Sequence, residues 1–160
     1  MAHHDEKTNG VHLWLLLMKA HRAVEKRSLS SIEGAGMCFS DFAILEALLH
    51  KGSLAVNTLG AKIPLTSGSA TTAVDRLQSR GFVRRAGDAA DRRARIVHLT
   101  AKGREWIERA FARHSLDMEV LMSALGGGER RQLARLLRKL GKHAAADPET
   151  PVKSSTTKGD

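Results

Sequence analysis

The chain has 160 residues, and its 26 lysines and arginines outnumber 17 acidic residues to give a net charge of +9. This excess favours a polyanionic partner, because phosphate contacts supply most non-specific affinity for nucleic acids. Aromatic residues at 4% argue against the stacking of single-stranded bases, and one cysteine excludes a disulfide framework or a cysteine-rich zinc site. No apolar run is long enough to span a bilayer, so we expect a soluble, cytoplasmic protein without a membrane partner.

The first predicted elements are a disordered start at residues 1–9 and an apolar helix from Gly10 to about Ser28. Its apolar side chains cover most of the helix circumference, which is typical of a helix buried against other elements or a second subunit. A Ser/Gly loop is predicted over residues 28–37. Ser40 is the expected N-cap of the next helix, which carries Asp41 in its first turn and ends at Lys51 and Gly52.

Two further helices are predicted around a Pro-Leu-Thr-Ser turn. Val56, Leu59 and Ile63 mark one face of a short helix that Pro64 ends, and Thr66 or Ser67 caps its successor, which Gly81 stops. The second helix turns four apolar residues inward, namely Ala70, Ala73, Val74 and Leu77. Its outward set is then Ser67, Gly68, Ser69, Thr71, Thr72, Asp75 and Arg76. Small hydroxyl residues at a helix N-terminus permit close approach to a DNA groove, although a capped and solvated surface helix would show the same composition.

Two short β runs, residues 82–85 and 95–99, follow this helix and are joined by a loop over 86–94. The loop and its exit carry Asp91, Arg92, Arg93 and Arg95. Three arginines in four residues repel one another without an anion, whereas Asp91 can orient one guanidinium and leave the others for phosphate or a narrow minor groove. A solvated charge run is the alternative. The order of helix, turn, helix and hairpin predicts a winged helix-turn-helix.

Outer helices complete the predicted fold. Thr100 caps a long helix to about Ala124, Gly126 to Gly128 break the chain, and a last helix runs from Glu129 to about Ala146, before a disordered tail at 147–160. The fold class is mainly α with a small β-hairpin wing. A winged helix-turn-helix DNA-binding domain at 38–99 lies between helical dimerisation regions at 10–37 and 100–146. The leucine-rich outer helices predict a homodimer, which would place two recognition helices about 34 Å apart on DNA.

No catalytic motif is present, so we expect a protein that is not an enzyme and needs no cofactor. The eight histidines are scattered, and His12 and His21 on the first helix face opposite sides, so they predict no metal site. Cys38, between Met37 and Phe39, has two interpretations. A thiol near a helix N-terminus can be oxidised, but its apolar neighbours favour simple packing.

From Phe39 to Gly103 the chain closely resembles the MarR (multiple antibiotic resistance regulator) family of bacterial transcription factors. The matching stretches are FSDFAILEALL, PLTSGSATTAVDRLQSRGFVRR and DRRARIVHLTAKG, and the last is the most specific. The resemblance implies a triangular, mostly helical homodimer that binds a pseudo-palindromic double-stranded DNA operator, usually as a repressor. It implies release by a small phenolic or aromatic ligand, or by cysteine oxidation. The peroxide-sensing branch carries its cysteine early in the first helix, where this chain has none.

The resemblance also assigns residues. The DNA-binding residues that it implies are Ser67, Ser69, Thr71, Thr72, Arg76, Asp91, Arg92, Arg93 and Arg95. The residues that it places around a ligand pocket are His12, Trp14, Met18, Met37, Phe42 and His50, although packing in the core is the favoured interpretation of each one. The main alternative to a ligand-responsive repressor is a winged-helix architectural or protein-interaction module.

Overall fold

A computed structural model of the chain describes residues 9–63, 67–87 and 95–146. Residues up to Leu121 form one compact unit, and those from Met122 form a second. The elements in the described ranges are α1 (Gly10–Gly34), α2 (Phe39–Lys51), β1 (Leu54–Ala55), α3 (Val56–Lys62), α4 (Ser67–Ser79), β2 (Val83–Gly87), β3 (Arg95–Leu99), α5 (Ala101–Met122) and α6 (Gly127–Ala145). The mainly helical fold class with a small β wing is confirmed, while the boundaries at 10–37, 38–99 and 100–146 stay a prediction.

Helix α1 is longer than the sequence analysis predicts. It continues through Ser28 and ends at Gly34, so the loop predicted over 28–37 is wrong for most of its length. The reason is Ile32, which is only 2% exposed and joins the hydrophobic core. Burial of this side chain outweighs the weak helix propensity of the serines around it.

The first two helices also begin differently from the prediction. Asn9, expected in the disordered start, is the N-cap of α1, and its Oδ1 accepts the backbone N–H of His12 at 2.8 Å. At α2 the N-cap is Cys38 rather than Ser40, and no side-chain bond caps the helix. Ser40 lies inside the first turn, where its hydroxyl accepts a hydrogen bond from Arg76 instead.

The winged helix contains a three-stranded antiparallel sheet in the order β1-β3-β2. The predicted hairpin is present, with Val83 opposite Leu99 and Gly87 opposite Arg95 at its two described ends. Strand β1 was not predicted, because a run of two residues shows no alternation of apolar and polar side chains. Ile63, the residue before Pro64, has an extended backbone, as a following proline favours.

One hydrophobic core joins helices α1 to α5 with the sheet inside the first unit. Helix α4 contributes all four of the apolar residues that the sequence analysis turned inward, and each is buried. The largest fully buried side chains from the other elements are Ile32, Phe42, Ile44, Leu45, Leu48, Leu59, Val83, Val97 and Ile107, together with the acidic side chain of Asp41.

Gly81 ends α4 in the way that the sequence predicts. Its φ of 74° lies in the left-handed region, and the N–H of Phe82 donates to the carbonyl of Leu77 at 2.9 Å. Together with the bond from Gly81 N–H to Gln78 O, this forms a Schellman C-cap. The turn therefore fixes where β2 begins relative to α4.

The first turn of α5 packs directly on this cap. Thr100 is the predicted N-cap, because its Oγ1 accepts the N–H of Gly103 at 3.0 Å, and the same hydroxyl donates to Gly81 O at 2.7 Å. A Cβ added to Gly103 would lie 1.9 Å from the carbonyl oxygen of Phe82. This contact explains the Leu-Thr-x-x-Gly motif, since only glycine permits such a close backbone approach.

In the second unit, α6 begins at Gly127, two residues earlier than predicted. Glu129 explains the start, because its carboxylate accepts the N–H of Gly126 at 2.8 Å. Arg130 bonds the carbonyls of Met122 and Leu125 with its Nε. No residue of α6 is buried. None of the helices in the described ranges is both long and apolar enough to cross a lipid bilayer.

Candidate nucleic-acid interface

Helix α4 presents one polar face to solvent. Ser69, Thr71 and Thr72 are all exposed near its N-terminal end. The hydroxyl of Thr72 donates to the carbonyl of Gly68 at 3.0 Å, which leaves its oxygen lone pairs outward as acceptors. This face has the shape and chemistry that the sequence analysis assigned to a recognition helix.

Arg76 lies on the outward face of α4, with its side chain 43% exposed, but its guanidinium is also paired with Asp41. The Asp41 carboxylate is 1% exposed and accepts both Nε and Nη2 of Arg76, with an Nε to Oδ2 distance of 2.9 Å. Arg80 adds a longer contact of 3.8 Å. These hydrogen bonds to Asp41 raise the pKa of the Arg76 guanidinium, which therefore stays charged at every physiological pH. The pair joins the first turn of α2 to the last turn of α4.

A second ion pair joins α4 to the wing. Arg85 of β2 donates to the Asp75 carboxylate, with 2.5 Å between Nη1 and Oδ1, and to Gln78 Oε1 at 3.3 Å. The Arg85 side chain is largely covered, and its fork bridges the strand to the helix surface. Asp75, placed outward by the sequence analysis, therefore positions the wing.

The described part of the wing carries two exposed arginines. Arg84 lies on the outer face of β2 opposite His98, and Arg95 opens β3 opposite Gly87. His98 Nδ1 and Ser53 Oγ are 2.7 Å apart, so the chain after α2 is hydrogen-bonded to the outer face of the sheet. The predicted residues Asp91, Arg92 and Arg93 lie outside the described residues, as does Thr66. The side chain of Ser67 is also outside the description.

The six residues predicted around a ligand pocket lie in different surroundings. Met37 and Phe42 belong to the hydrophobic core. His50 makes an edge contact with Phe111 of α5, with 4.7 Å between ring centroids, and lines a surface groove of about 270 Å³. The remaining three lie on the part of α1 that is mostly exposed in the single chain, namely His12, Trp14 and Met18.

A polar network joins the end of α1 to α5. Ser31 Oγ donates to Asp117 Oδ2 at 2.6 Å, and His114 Nδ1 lies 3.2 Å from the same hydroxyl. The bond from Ser31 is the main cause of a lowered pKa at Asp117. The His114 ring also makes an edge contact with Phe42 at 5.3 Å between centroids. The adjoining cleft, about 370 Å³, is lined by Lys26, Arg27, Ser30, Ser31, Asp117, Met118 and Val120.

Cys38 is exposed, so its predicted packing is wrong. Its Sγ lies 3.4 Å from Arg76 Nη2 and 3.3 Å from Ser40 Oγ. Within the ranges that the structure describes, no group of three histidine, cysteine, aspartate or glutamate side chains is placed to hold a metal ion.

The ion pair between Asp41 and Arg76 was not predicted, although the sequence carries a signal for it. Asp41 stands three, four and seven residues before Ile44, Leu45 and Leu48, which places a carboxylate on the apolar face of α2. A buried acid on such a face requires a cationic partner. The ion pair between Arg85 and Asp75 and the hydrogen bonds of Ser31 could not be predicted in this way. Each joins different elements of the fold, and no sequence pattern indicates which elements meet.

A helix-turn-helix whose second helix has an exposed hydroxyl face, followed by a basic hairpin, defines the class of winged-helix DNA-binding transcription regulators. A family model described as the MarR family matches residues 35–94. The uncharacterized HTH-type transcriptional regulator YkoM of Bacillus subtilis is 31% identical over 140 residues, which cover 88% of this chain and 91% of YkoM. The chain therefore belongs to the MarR family, whose members are transcription regulators and not enzymes.

Solved structures agree with this assignment. A MarR family protein from Bacillus stearothermophilus has a TM-score of 0.70 at 27% identity, covering 84% of this chain and 94% of its own. The PcaV transcriptional regulator from Streptomyces coelicolor, solved in complex with its natural ligand, has a TM-score of 0.64 at 26% identity and covers 90% and 99%.

Proposed function

We propose that this regulator is a repressor that binds a pseudo-palindromic operator as a homodimer and releases it when a small aromatic or phenolic ligand binds. The observation that carries the proposal is the geometry around α4. Its hydroxyl face is exposed while its two charged residues, Asp75 and Arg76, fasten it to the wing and to α2. Such preorganisation is what a recognition helix needs to hold its register on DNA.

The contacts to DNA divide by chemistry. Ser69, Thr71 and Thr72 suit phosphates and base edges in the major groove, because their side chains are short and lie near the helix N-terminus. Arg95, with Arg92 and Arg93, suits backbone phosphates or the minor groove beside it. Arg76 takes a positioning role in this proposal, since its guanidinium fork is engaged by the buried carboxylate.

The homodimer is supported by exposed apolar surface. Large apolar side chains lie exposed on the first turns of α1 and along α6, and a single soluble chain rarely leaves so many uncovered. A second copy is the occupant that closed symmetry favours. These side chains are Val11, Leu13, Trp14, Leu15, Leu16, Leu17, Leu133, Leu136, Leu137 and Leu140.

The effector part of the proposal is supported by PcaV, which covers most of this chain and binds a natural ligand. His12, Trp14 and Met18 would line an enclosed site only when a second copy covers α1. His50 beside Phe111 supplies a polar group next to an aromatic ring. A phenolic ring with a carboxylate or hydroxyl group matches this mixture of apolar and hydrogen-bonding side chains.

The operator is the first thing to measure. DNA fragments selected by the purified protein should share an inverted repeat whose half-sites lie about one helical turn apart. Affinity for that repeat should exceed affinity for random DNA, and both should fall log-linearly with salt. A protein that shows no sequence preference would instead be an architectural module.

Arg93→Ala tests the wing. We expect operator binding to weaken by about 1–3 kcal/mol, as for one lost groove contact, with an unchanged fold. Arg104→Ala is a matched control, because Arg104 lies on α5 and pairs with Glu108 at 3.6 Å. Equal affinities of the two variants for the selected operator would reject the role of Arg93.

Repression and release are tested on the same operator. Placed across a promoter in a transcription assay, the operator should make transcript levels fall as protein is added. Phenolic acids should then restore transcription and raise the melting temperature of the free protein. A panel of such acids that changes neither signal would remove the effector from the proposal while leaving DNA binding intact.

A further inference from the structure

Helix α6 has two opposite faces, and only one of them is explained by dimerisation. The apolar face carries leucines that are 40–51% exposed. The opposite face carries a row of cations that we call the α6 stripe: Arg131, Arg135, Arg138 and Lys142. At 100° per residue these four lie within a sector of about 60°, centred opposite the leucines.

The charge of the chain is concentrated in this helix. Residues 127–145 contain six basic residues and one acidic residue, a net charge of +5. The winged helix over 38–99 contains nine basic and five acidic residues, a net charge of +4. A single helix of 19 residues therefore holds more net positive charge than the predicted DNA-binding domain.

Helix α5 shows what a solvated surface looks like in the same protein. Each of three arginines there has an acidic partner four residues away, as in Arg109 with Glu105 at 3.6 Å and Arg113 with Asp117 at 3.2 Å. No acidic residue stands three or four positions from any member of the α6 stripe. Among the residues that the structure describes, the stripe makes no ion pair, and Glu129 is used as a helix cap.

A row of like charges destabilises the helix that carries it. Arg131 and Arg135 are four residues apart, Arg135 and Arg138 three apart, and Arg138 and Lys142 four apart, so each neighbouring pair is repulsive. Solubility alone does not require this arrangement, because mixed charges serve that purpose without repulsion. An external anion with many charges would relieve it.

We propose that the α6 stripe binds the phosphate backbone of DNA without sequence preference, as a site separate from the winged helix. The stripe spans about 16 Å along the helix axis, since each residue rises 1.5 Å. A DNA duplex carries one negative charge per roughly 1.7 Å, which provides a matching row of phosphates over that length. Three of the four cations are arginines, whose guanidinium forks bind phosphate oxygens in pairs.

The test compares two triple variants of the full-length chain on a random-sequence 30-base-pair duplex. One replaces Arg131, Arg135 and Arg138 with glutamine, and the control replaces Arg104, Arg109 and Arg113 of α5. We expect the α6 variant to lose at least tenfold in affinity at low salt. Its slope of log affinity against log salt should become shallower by about two to three, at roughly 0.9 per lost phosphate contact. The α5 variant should keep the slope of the parent.

Helix content by circular dichroism and mass by light scattering must match the parent for both variants. An α6 variant with the parental slope overturns the proposal. The proposal is also overturned if poly-glutamate or anionic lipid vesicles bind more strongly than the duplex at the same charge concentration. The stripe would then bind an acidic protein or a membrane surface. The readout uses random DNA, so it stays valid whether or not an operator or an effector exists.

A binding assay with two differently labelled duplexes then shows whether the stripe binds a second duplex or the duplex that the winged helix already holds. If one protein holds two differently labelled duplexes together and the α6 variant does not, the stripe binds a second duplex. If no second duplex is held and the α6 effect seen with 30 base pairs grows on longer single duplexes, the stripe binds DNA that flanks the winged-helix site. Both outcomes support phosphate binding, and absence of both effects contradicts it.

Discussion

Helices α4 and α6 are both amphipathic, but they differ in how much of each face is covered by the rest of the chain. The apolar face of α4 is fully buried, and both of its charged residues, although partly exposed, form ion pairs within the chain, Arg76 with Asp41 and Asp75 with Arg85. In α6 no side chain is buried, and the leucines on one face lie opposite the α6 stripe, which forms no ion pair with the residues that the structure describes. Packing within the chain therefore orders α4, whereas we propose that both faces of α6 bind molecules outside the chain.

This difference separates two kinds of free energy. Contacts around α4 contribute to folding of one chain, because their apolar area leaves water when that chain folds. Contacts of α6 contribute only when a second molecule arrives, so they depend on concentration and salt. Mutations in α4 should consequently change the free energy of unfolding, whereas mutations in α6 should change binding to a second molecule.

The largest expected effect is that of Leu77→Ala in α4. Leu77 is fully buried in the core, so truncation should lower the free energy of unfolding by about 2–5 kcal/mol. Urea denaturation of the purified variant measures this, and the loss should be independent of protein concentration. A loss below 1 kcal/mol would contradict the view that α4 is ordered by the core of its own chain.

Asp41→Asn should have the next largest effect. The buried carboxylate is exchanged for a neutral amide, which leaves the charge of Arg76 without its partner. Because the Arg76 side chain is partly exposed and can turn to water, we expect about 1–3 kcal/mol of destabilisation rather than more. Operator affinity should fall further than that of Glu46→Gln, a control on the same helix. Unchanged stability and affinity would show that the ion pair between Asp41 and Arg76 does not position α4.

Leu137→Ala in α6 provides the contrast with Leu77→Ala. Leu137 is 45% exposed in the single chain, so its truncation should leave the unfolding of one chain nearly unchanged. If a second copy covers the leucine, the dimer dissociation constant should rise about tenfold, which equals roughly 1.4 kcal/mol. Sedimentation equilibrium across a concentration series measures this. Identical dissociation of variant and parent would place α6 outside the dimer interface.

The smallest effect is expected for Asp117→Asn. The hydrogen bond from Ser31 lowers the pKa of this carboxyl below its ordinary value of 3.8. The stabilising contribution is therefore present above that pH and is lost as the pH falls through the lowered pKa. The parent should melt slightly above the variant at pH 7, and the difference should disappear in acid once the pH is below the lowered pKa. A difference that persists in acid would exclude the carboxylate as its cause.

Sequence reasoning predicted what depends on local pattern. The inward residues of α4, the stop at Gly81 and the cap at Thr100 follow from periodicity and capping rules, and the structure confirms them. It was wrong where a distant contact outweighs local propensity. Burial of Ile32 extends α1 through a serine-rich stretch, and Asp41 binds the guanidinium of Arg76, a contact that was not predicted. Such outcomes depend on tertiary partners that spacing alone does not reveal.

Gly103 gives the molecule a mechanical property. At this residue the backbone of α5 rests against the carbonyl of Phe82, immediately beyond the end of α4, with no side chain between them. Side chains can change rotamer and absorb small displacements, but two touching backbones cannot. A rotation of the first turn of α5 must therefore carry the end of α4 with it. A displacement of α5 at this joint would therefore be passed directly to α4, the helix that we propose contacts DNA.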